Sequence, residues 1–235
     1  MSTKLSGPVV DVGEDVGRGW FLNLPVQYNP DYVVLFDDFE MVAVNGTNDW
    51  TVVKDSGASV AIEADIQHGV LDLSSTATTD NDGASIQGNE IFAAQVGKNL
   101  WFEAYVKLHD ANDCDMFVGL CENFATDPEA CLLASNRIGF QVTEGDAALL
   151  CKSEATDAEN STDSQQNAAD GTWVRLGFHL YSTTHIYYYV NRVLVATHTS
   201  DIPTANMTPA FFALSGSATG TFVNRLDYIL VVAER

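Results

Sequence analysis

Carboxylates at alternating positions of an extended segment are the first residues in this chain able to do chemistry. Glu63-Ala64-Asp65-Ile66-Gln67-His68 places two acids on one face of a strand. Paired carboxylates of that kind cleave glycosidic bonds when one attacks or orients water and a further one protonates the leaving oxygen. Here His68 stands where the further acid is required, so the constellation is incomplete and no catalytic residue is assigned. Asp80-Asn81-Asp82-Gly83 begins like a calcium loop, with Asp80 and Asp82 as candidate ligands. Ile91 occupies the twelfth position, where a calcium loop of the helix–loop–helix type carries glutamate. The same residues make Asx turns ahead of strands, and no metal or other cofactor is assigned, calcium staying open as an alternative. The histidines 68, 109, 179, 185 and 198 show no recurring partner, and no Gly-x-Ser-x-Gly elbow is present. The expectation is a protein that is not an enzyme.

Composition narrows the partners. Eleven basic residues against 32 acidic ones give a net charge of −21, which repels phosphate backbones and anionic lipid, so no nucleic acid and no membrane are expected. No apolar run approaches the roughly 18 residues of a bilayer-spanning helix. With 46% hydrophobic residues the chain can bury a full core without metal or disulfide help. The four cysteines, at 114, 121, 131 and 151, lack zinc-site spacing. Cys121 and Cys131 bracket an irregular segment open to bridging, against the alternative of reduced thiols packed as small hydrophobes. The first residues lack the pattern of a secretory signal, and folding in a cytoplasm is expected.

These groups must be positioned by strands. Thr172–Pro203 alternates inside and outside residues in three runs, the last two joined by Asn191-Arg192 as in a β-hairpin. Val174, Leu176, Phe178 and Leu180 share one face; Trp173, Arg175, His179 and Tyr181 share the other. In Tyr187-Tyr188-Tyr189, Tyr188 goes with the core, whereas Tyr187 and Tyr189 point oppositely and are candidates for holding sugar rings. Further strands are read at 32–36, 50–53, 59–62, 70–73, 84–86, 91–94, 100–108, 116–120, 138–142, 148–151, 210–214 and 222–232, with one short helix at 127–135 anchored by Leu132 and Leu133. Residues 154–171, acidic and polar, are read as a solvated loop. Residues 1–30 show neither periodicity yet carry Trp20, Phe21, Leu24 and Tyr28, an extended N-terminal arm that docks on something. The domain division is thus an arm over 1–30 and an all-β, antiparallel two-sheet jelly-roll sandwich over 31–235.

The sandwich span resembles the concanavalin-A-like (laminin-G-like) jelly roll. The residues that carry this are Phe36-Asp37-Asp38-Phe39, Leu100-Trp101-Phe102-Glu103-Ala104-Tyr105-Val106, Gly171-Thr172-Trp173-Val174-Arg175-Leu176, the Tyr-Val-Asn-Arg-Val hairpin and Asp227-Tyr228-Ile229. Arg192 stands where that family's hairpin has glycine. More narrowly, the motifs at 36–39, 80–85 and 100–104 are similar to those of virion structural proteins of tailed bacteriophages. That resemblance implies a capsid decoration (cement) protein without catalytic residues, made in the host cytoplasm and located on the capsid surface. Its implied partners are the major capsid protein and neighbouring copies of itself in a homo-oligomer, bound through Trp20, Phe21, Leu24 and Tyr28. The alternative is a carbohydrate-binding module for host-surface glycans, using Tyr187 and Tyr189.

Overall fold

Period-two alternation, carried by almost every apolar run, builds two antiparallel sheets packed face to face. The computed structural model describes residues 32–40, 50–63, 66, 69–76, 81–123, 127–216 and 222–235, the side chains of Cys131 and Leu133 excepted. The arm with Trp20, Phe21, Leu24 and Tyr28 lies outside these residues, as do Asp65, His68 and Asp80. In chain order the strands are β1 (Tyr32–Asp37), β2 (Thr51–Lys54), β3 (Ala58–Ile62), β4 (Leu71–Ser75), β5 (Gly83–Gln87), β6 (Asn99–Lys107), β7 (Cys114–Cys121), β8 (Asn136–Thr143), β9 (Asp146–Ala155), β10 (Ala158–Asn167), β11 (Trp173–Tyr181), β12 (His185–Val190), β13 (Val193–His198), β14 (Thr208–Ser215) and β15 (Phe222–Glu234). One sheet (sheet A) runs β13-β12-β11-β6-β15-β4-β3, with β1 also on β15; the other (sheet B) runs β10-β9-β8-β7-β14-β5-β2.

The core fills the space between the sheets. Phe102 and Phe178 stack at 5.0 Å from sheet A, and Phe140 of sheet B meets Tyr188 edge-on at 5.5 Å. All four are fully buried, each contributing about 1.5–3 kcal/mol by leaving water. Tyr188 still needs a partner for its hydroxyl, and donates to the Lys152 carbonyl of the opposite sheet at 2.7 Å. The Phe36-Asp37-Asp38-Phe39 motif closes one end: Asp37 accepts from the Phe39 amide at 2.8 Å and from the Trp50 indole at 2.7 Å. That motif is therefore occupied with holding the fold.

Three expectations change. Residues 154–171 are not a loop: β9 extends to Ala155, turns at Thr156-Asp157 (φ 53° and 65°) and returns as β10. With one neighbour and an exposed outer side, β10 needs no apolar alternation, so its polar sequence hid it. Residues 91–94 form only an isolated bridge, Phe92 to Met207. The short helix is a 3-10 turn over Pro128–Leu133, capped by Asp127 accepting from the Glu129 amide at 2.9 Å. Cys114 and Cys151 are buried thiols that burial pushes up to about 12, which makes them packing residues. The 121–131 pairing falls on the Cys131 side chain, outside the described residues.

Gly119 and Gly139 face each other across β7 and β8. A Cβ on Gly119 would lie 2.1 Å from the Ile138 carbonyl oxygen, and one on Gly139 2.4 Å from that of Val118 and 2.8 Å from the Phe117 ring. Gly139→Ala should lower stability by about 1–3 kcal/mol through overpacking; thermal unfolding should show Tm reduced by roughly 2–12 °C for a chain of this size.

Candidate binding face

Among the described residues, alternation delivers rings and charges together on the outward side of sheet A. The pairing of β6 with β11 sets Trp101 opposite His179, Glu103 opposite Gly177, Tyr105 opposite Arg175 and Lys107 opposite Trp173. Along these strands the side chains interdigitate: the Lys107 ammonium lies 4.9 Å from the Trp173 ring centroid, Trp173 stacks on Tyr105 at 4.9 Å, and the Arg175 guanidinium lies 4.4 Å from the Tyr105 centroid. The order cation, ring, ring, cation alternates between the two strands. Arg175 then donates to the Tyr228 hydroxyl at 3.3 Å, and Tyr228 donates to Glu103 at 2.5 Å.

Glu103 is 3% exposed although it points away from the core. Besides Tyr228 it accepts from Arg192 Nε and Nη2, both at 3.3 Å. Arg192 reaches it from the β12–β13 turn, across the row where β11 carries Gly177. The turn is of the kind that wants glycine: Asn191 and Arg192 have φ of 50° and 66°. Arginine tolerates that left-handed backbone because its guanidinium neutralises a buried carboxylate. Burial, then the charge and hydrogen bond of Glu103, push the Tyr228 hydroxyl well above its ordinary value.

A second row crosses the sheet as Trp101, His179, Tyr187 and Thr197. Trp101 and His179 stack at 5.1 Å, His179 and Tyr187 at 5.7 Å, and His185 and Tyr187 at 5.8 Å. The rings turn their faces to one another, and Trp101 and His179 are buried within the row. Tyr187 and Tyr189 do share this outer side, but Tyr187 is flanked on its faces by two histidines and Tyr189 is buried at 8% exposure. Neither offers the open ring face that stacked sugar-holding tyrosines require. Sequence reasoning missed Glu103, Tyr105 and Lys107 as members of the face. The signal was available in β6, where residues 101, 103, 105 and 107 are Trp, Glu, Tyr and Lys between core residues.

The outward side of sheet B is covered. Ala130 and Leu132 of the 3-10 turn pack on Val53, Phe117, Cys121, Ala210, Phe212 and Leu214, and Arg137 holds the turn by donating to the Leu132 carbonyl at 2.6 Å. Acids that meet there are tied to bases: Arg137 pairs with Glu154 at 2.8 Å and Glu159 at 2.6 Å, and Lys152 with Glu159 at 2.7 Å. Burial would raise the Glu159 carboxyl, but the Lys152 and Arg137 contacts hold it below the usual range, opposite to what a proton-donating carboxyl needs. Glu63 likewise pairs with Arg225 at 2.6 Å, beside Asp72 at 2.9 Å. Ser153 and His198 do meet, at 2.8 Å, yet both are fully buried between the sheets, with Thr162 on the other ring nitrogen at 3.1 Å. The pair joins the layers. Among the described residues no group of three or more His, Cys, Asp or Glu is placed to hold a metal; Asp82 uses its backbone carbonyl to accept from the Ser215 amide at 3.0 Å.

This architecture is an antiparallel two-sheet jelly-roll sandwich. The chain belongs to the SO2946-like family, whose C-terminal domain model matches residues 67–229. The solved structure of a protein of unknown function, SO2946 from Shewanella oneidensis MR-1, is similar with a TM-score of 0.63 and 18% identity, covering 90% of each chain. A β-1,3-1,4-glucanase (lichenase) from a mouse hindgut metagenome gives 0.60 and 12%, over 84% of this chain and 98% of that one. The catalytic domain of an endo-1,3-β-glucanase (laminarinase) from Thermotoga petrophila RKU-1 gives 0.59 and 12%, over 87% and 99%. At such identities the likeness shows the fold. No curated protein matches the chain in sequence.

Two outcomes follow from the charges. Arg192→Gly should suit the turn yet lower stability by about 1–3 kcal/mol, because Glu103 stays buried without its cation. Adding Glu103→Gln should recover most of that loss, read as a coupling in a double-mutant cycle of urea unfolding curves. His179 is held down to about 4, by burial that outweighs the opposing Glu234 charge, and His198 is lowered by burial against Asp201. The unfolded chain therefore binds protons that the folded one refuses. Stability should be full above about pH 6.5 and fall as pH drops from there toward 4; NMR titration should find the His179 ring still neutral at about pH 5.

Proposed function

We propose that the chain is a carbohydrate-binding sandwich that recognises glycans on the outward side of sheet A and breaks no bonds. One observation carries this reading. A solvent-facing sheet side ordinarily carries solvated polar residues, whereas this one carries the half-buried rings of Tyr105, Trp173, Tyr187 and Tyr228, packed beside the buried Trp101 and His179, around the buried Glu103 carboxylate and its Arg192 partner. Ring edges with N–H and O–H groups suit the hydroxyl-rich rim of a sugar chain. The β-glucanase-like fold supports it, and the arginine-bound carboxylates speak for recognition over hydrolysis. Glycan-array screening and calorimetry on the full chain should find a ligand whose affinity drops about tenfold, some 1.4 kcal/mol, in Trp173→Ala, with no reducing ends released. A blank array, or binding indifferent to Trp173→Ala and Tyr187→Ala, would refute it.

A second reading is favoured by the sequence motifs at 36–39, 80–85 and 100–104: decoration of a tailed-phage capsid, with residues 1–30 gripping the major capsid protein or a neighbouring copy through Trp20, Phe21, Leu24 and Tyr28. Many weak copies held by arms stabilise a shell through multivalency, and a sandwich displayed from a virion is free to read host glycans. Deletion of residues 1–30 should abolish attachment to expanded heads in a co-sedimentation assay; unchanged occupancy would remove the arm from that role.

A further inference from the structure

We propose that this face selects acidic polysaccharides, chains bearing carboxylate or sulfate groups, at the ladder Lys107–Trp173–Tyr105–Arg175; this rests on the glycan-binding reading. The argument starts from scarcity. The chain has 32 acidic and 11 basic residues. Among the described cations Arg137, Lys152, Arg192 and Arg225 pair with carboxylates at 2.6–3.3 Å, whereas Lys54 and Lys98 stand at the surface with neither an ion pair nor a ring beneath them among the described residues. Lys107 and Arg175, half-buried on adjacent strands, make no ion pair with any described residue. Each rests on an aromatic ring instead.

Acids on the adjoining strands are committed elsewhere. Arg225 stands opposite Lys107 on β15 and holds both Glu63 and Asp72, while Glu103 is held by Arg192 and Tyr228. The register makes Lys107 and Arg175 diagonal neighbours, with Cβ atoms roughly 7–8 Å apart. The stacked Trp173 and Tyr105 rings between them prevent collapse toward a shared partner. Lysine, arginine and indole side chains donate hydrogen bonds and accept none, so three members of the strip, Tyr105 with its two-way hydroxyl excepted, suit groups that only accept, which carboxylates and sulfates are and neutral sugar hydroxyls are not. Resting on rings also leaves the cations partly desolvated, which strengthens their attraction for an anion.

The test compares oligosaccharides of neutral glucans, polyuronates and sulfated galactans on the full chain, at low salt and at about 300 mM, well past the point where screening sets in, with polyglutamate as a sugar-free polyanion. Acidic glycans should bind at least about tenfold tighter than neutral ones, lose that advantage in Lys107→Gln/Arg175→Gln, and weaken with salt. Preference for uronate or for sulfate identifies which acidic group is read, and either supports the proposal. Unfolding curves establish that the double variant folds. If it does not, the single variant Lys107→Gln decides: it must weaken an acidic ligand and leave a neutral one unaffected. Neutral glycans bound as tightly as acidic ones, or an acidic advantage that survives in the folded double variant, overturns this inference and leaves glycan binding standing. No glycan bound at all overturns both. Polyglutamate bound as tightly as any glycan shows plain charge attraction and overturns the selectivity claimed here.

Discussion

The register of β6 against β11 sets everything else, because it orders both sides of sheet A at once. Inward it stacks Phe102 on Phe178 and aligns Leu100, Ala104 and Val106 with Leu180, Leu176 and Val174. Outward it interleaves Lys107, Trp173, Tyr105 and Arg175 and brings Trp101 onto His179. A slip of one residue would turn the apolar set to solvent and drive Glu103, Lys107 and Arg175 into the core. The cost of that inversion pins the register, so the outer face is aligned by the hydrophobic effect acting on its opposite side.

The two outer surfaces of the sandwich solve different problems. Sheet B covers itself: the glycines at 119 and 139 leave room for the neighbouring backbone and the Phe117 ring, Phe117 and Phe212 fill the surface, and the 3-10 turn closes over them, clamped by Arg137. Sheet A stays uncovered among the described residues but is stiffened by ring stacking and by the Arg192–Glu103–Tyr228 contacts. On a body of charge −21, Lys107 and Arg175 are cations held on rings and not on carboxylates.

How much of this was legible in the sequence depended on whether alternation was present. β11 to β13 announced themselves through Val174, Leu176, Phe178 and Leu180, and the sandwich class followed. β10 did not, since an edge strand of Ser, Thr, Asn and Gln buries almost nothing and looks like a loop. The face was half visible: Tyr187 and Tyr189 were placed on the correct side from their period, but whether a ring shows its face or its edge is decided by His179 and His185, which arrive from the neighbouring strand and the strand end. Arg192 read as a departure from the hairpin pattern; only the partner 89 residues away, Glu103, explains it.

The most direct measurement is an NMR map of the labelled chain titrated with an acidic oligosaccharide. The account predicts shifts at the Trp173 indole and the Arg175 Nε–H, with Arg137, Lys152 and the residues around Phe212 unmoved. Shifts concentrated on sheet B around Arg137 and Glu159 would contradict it.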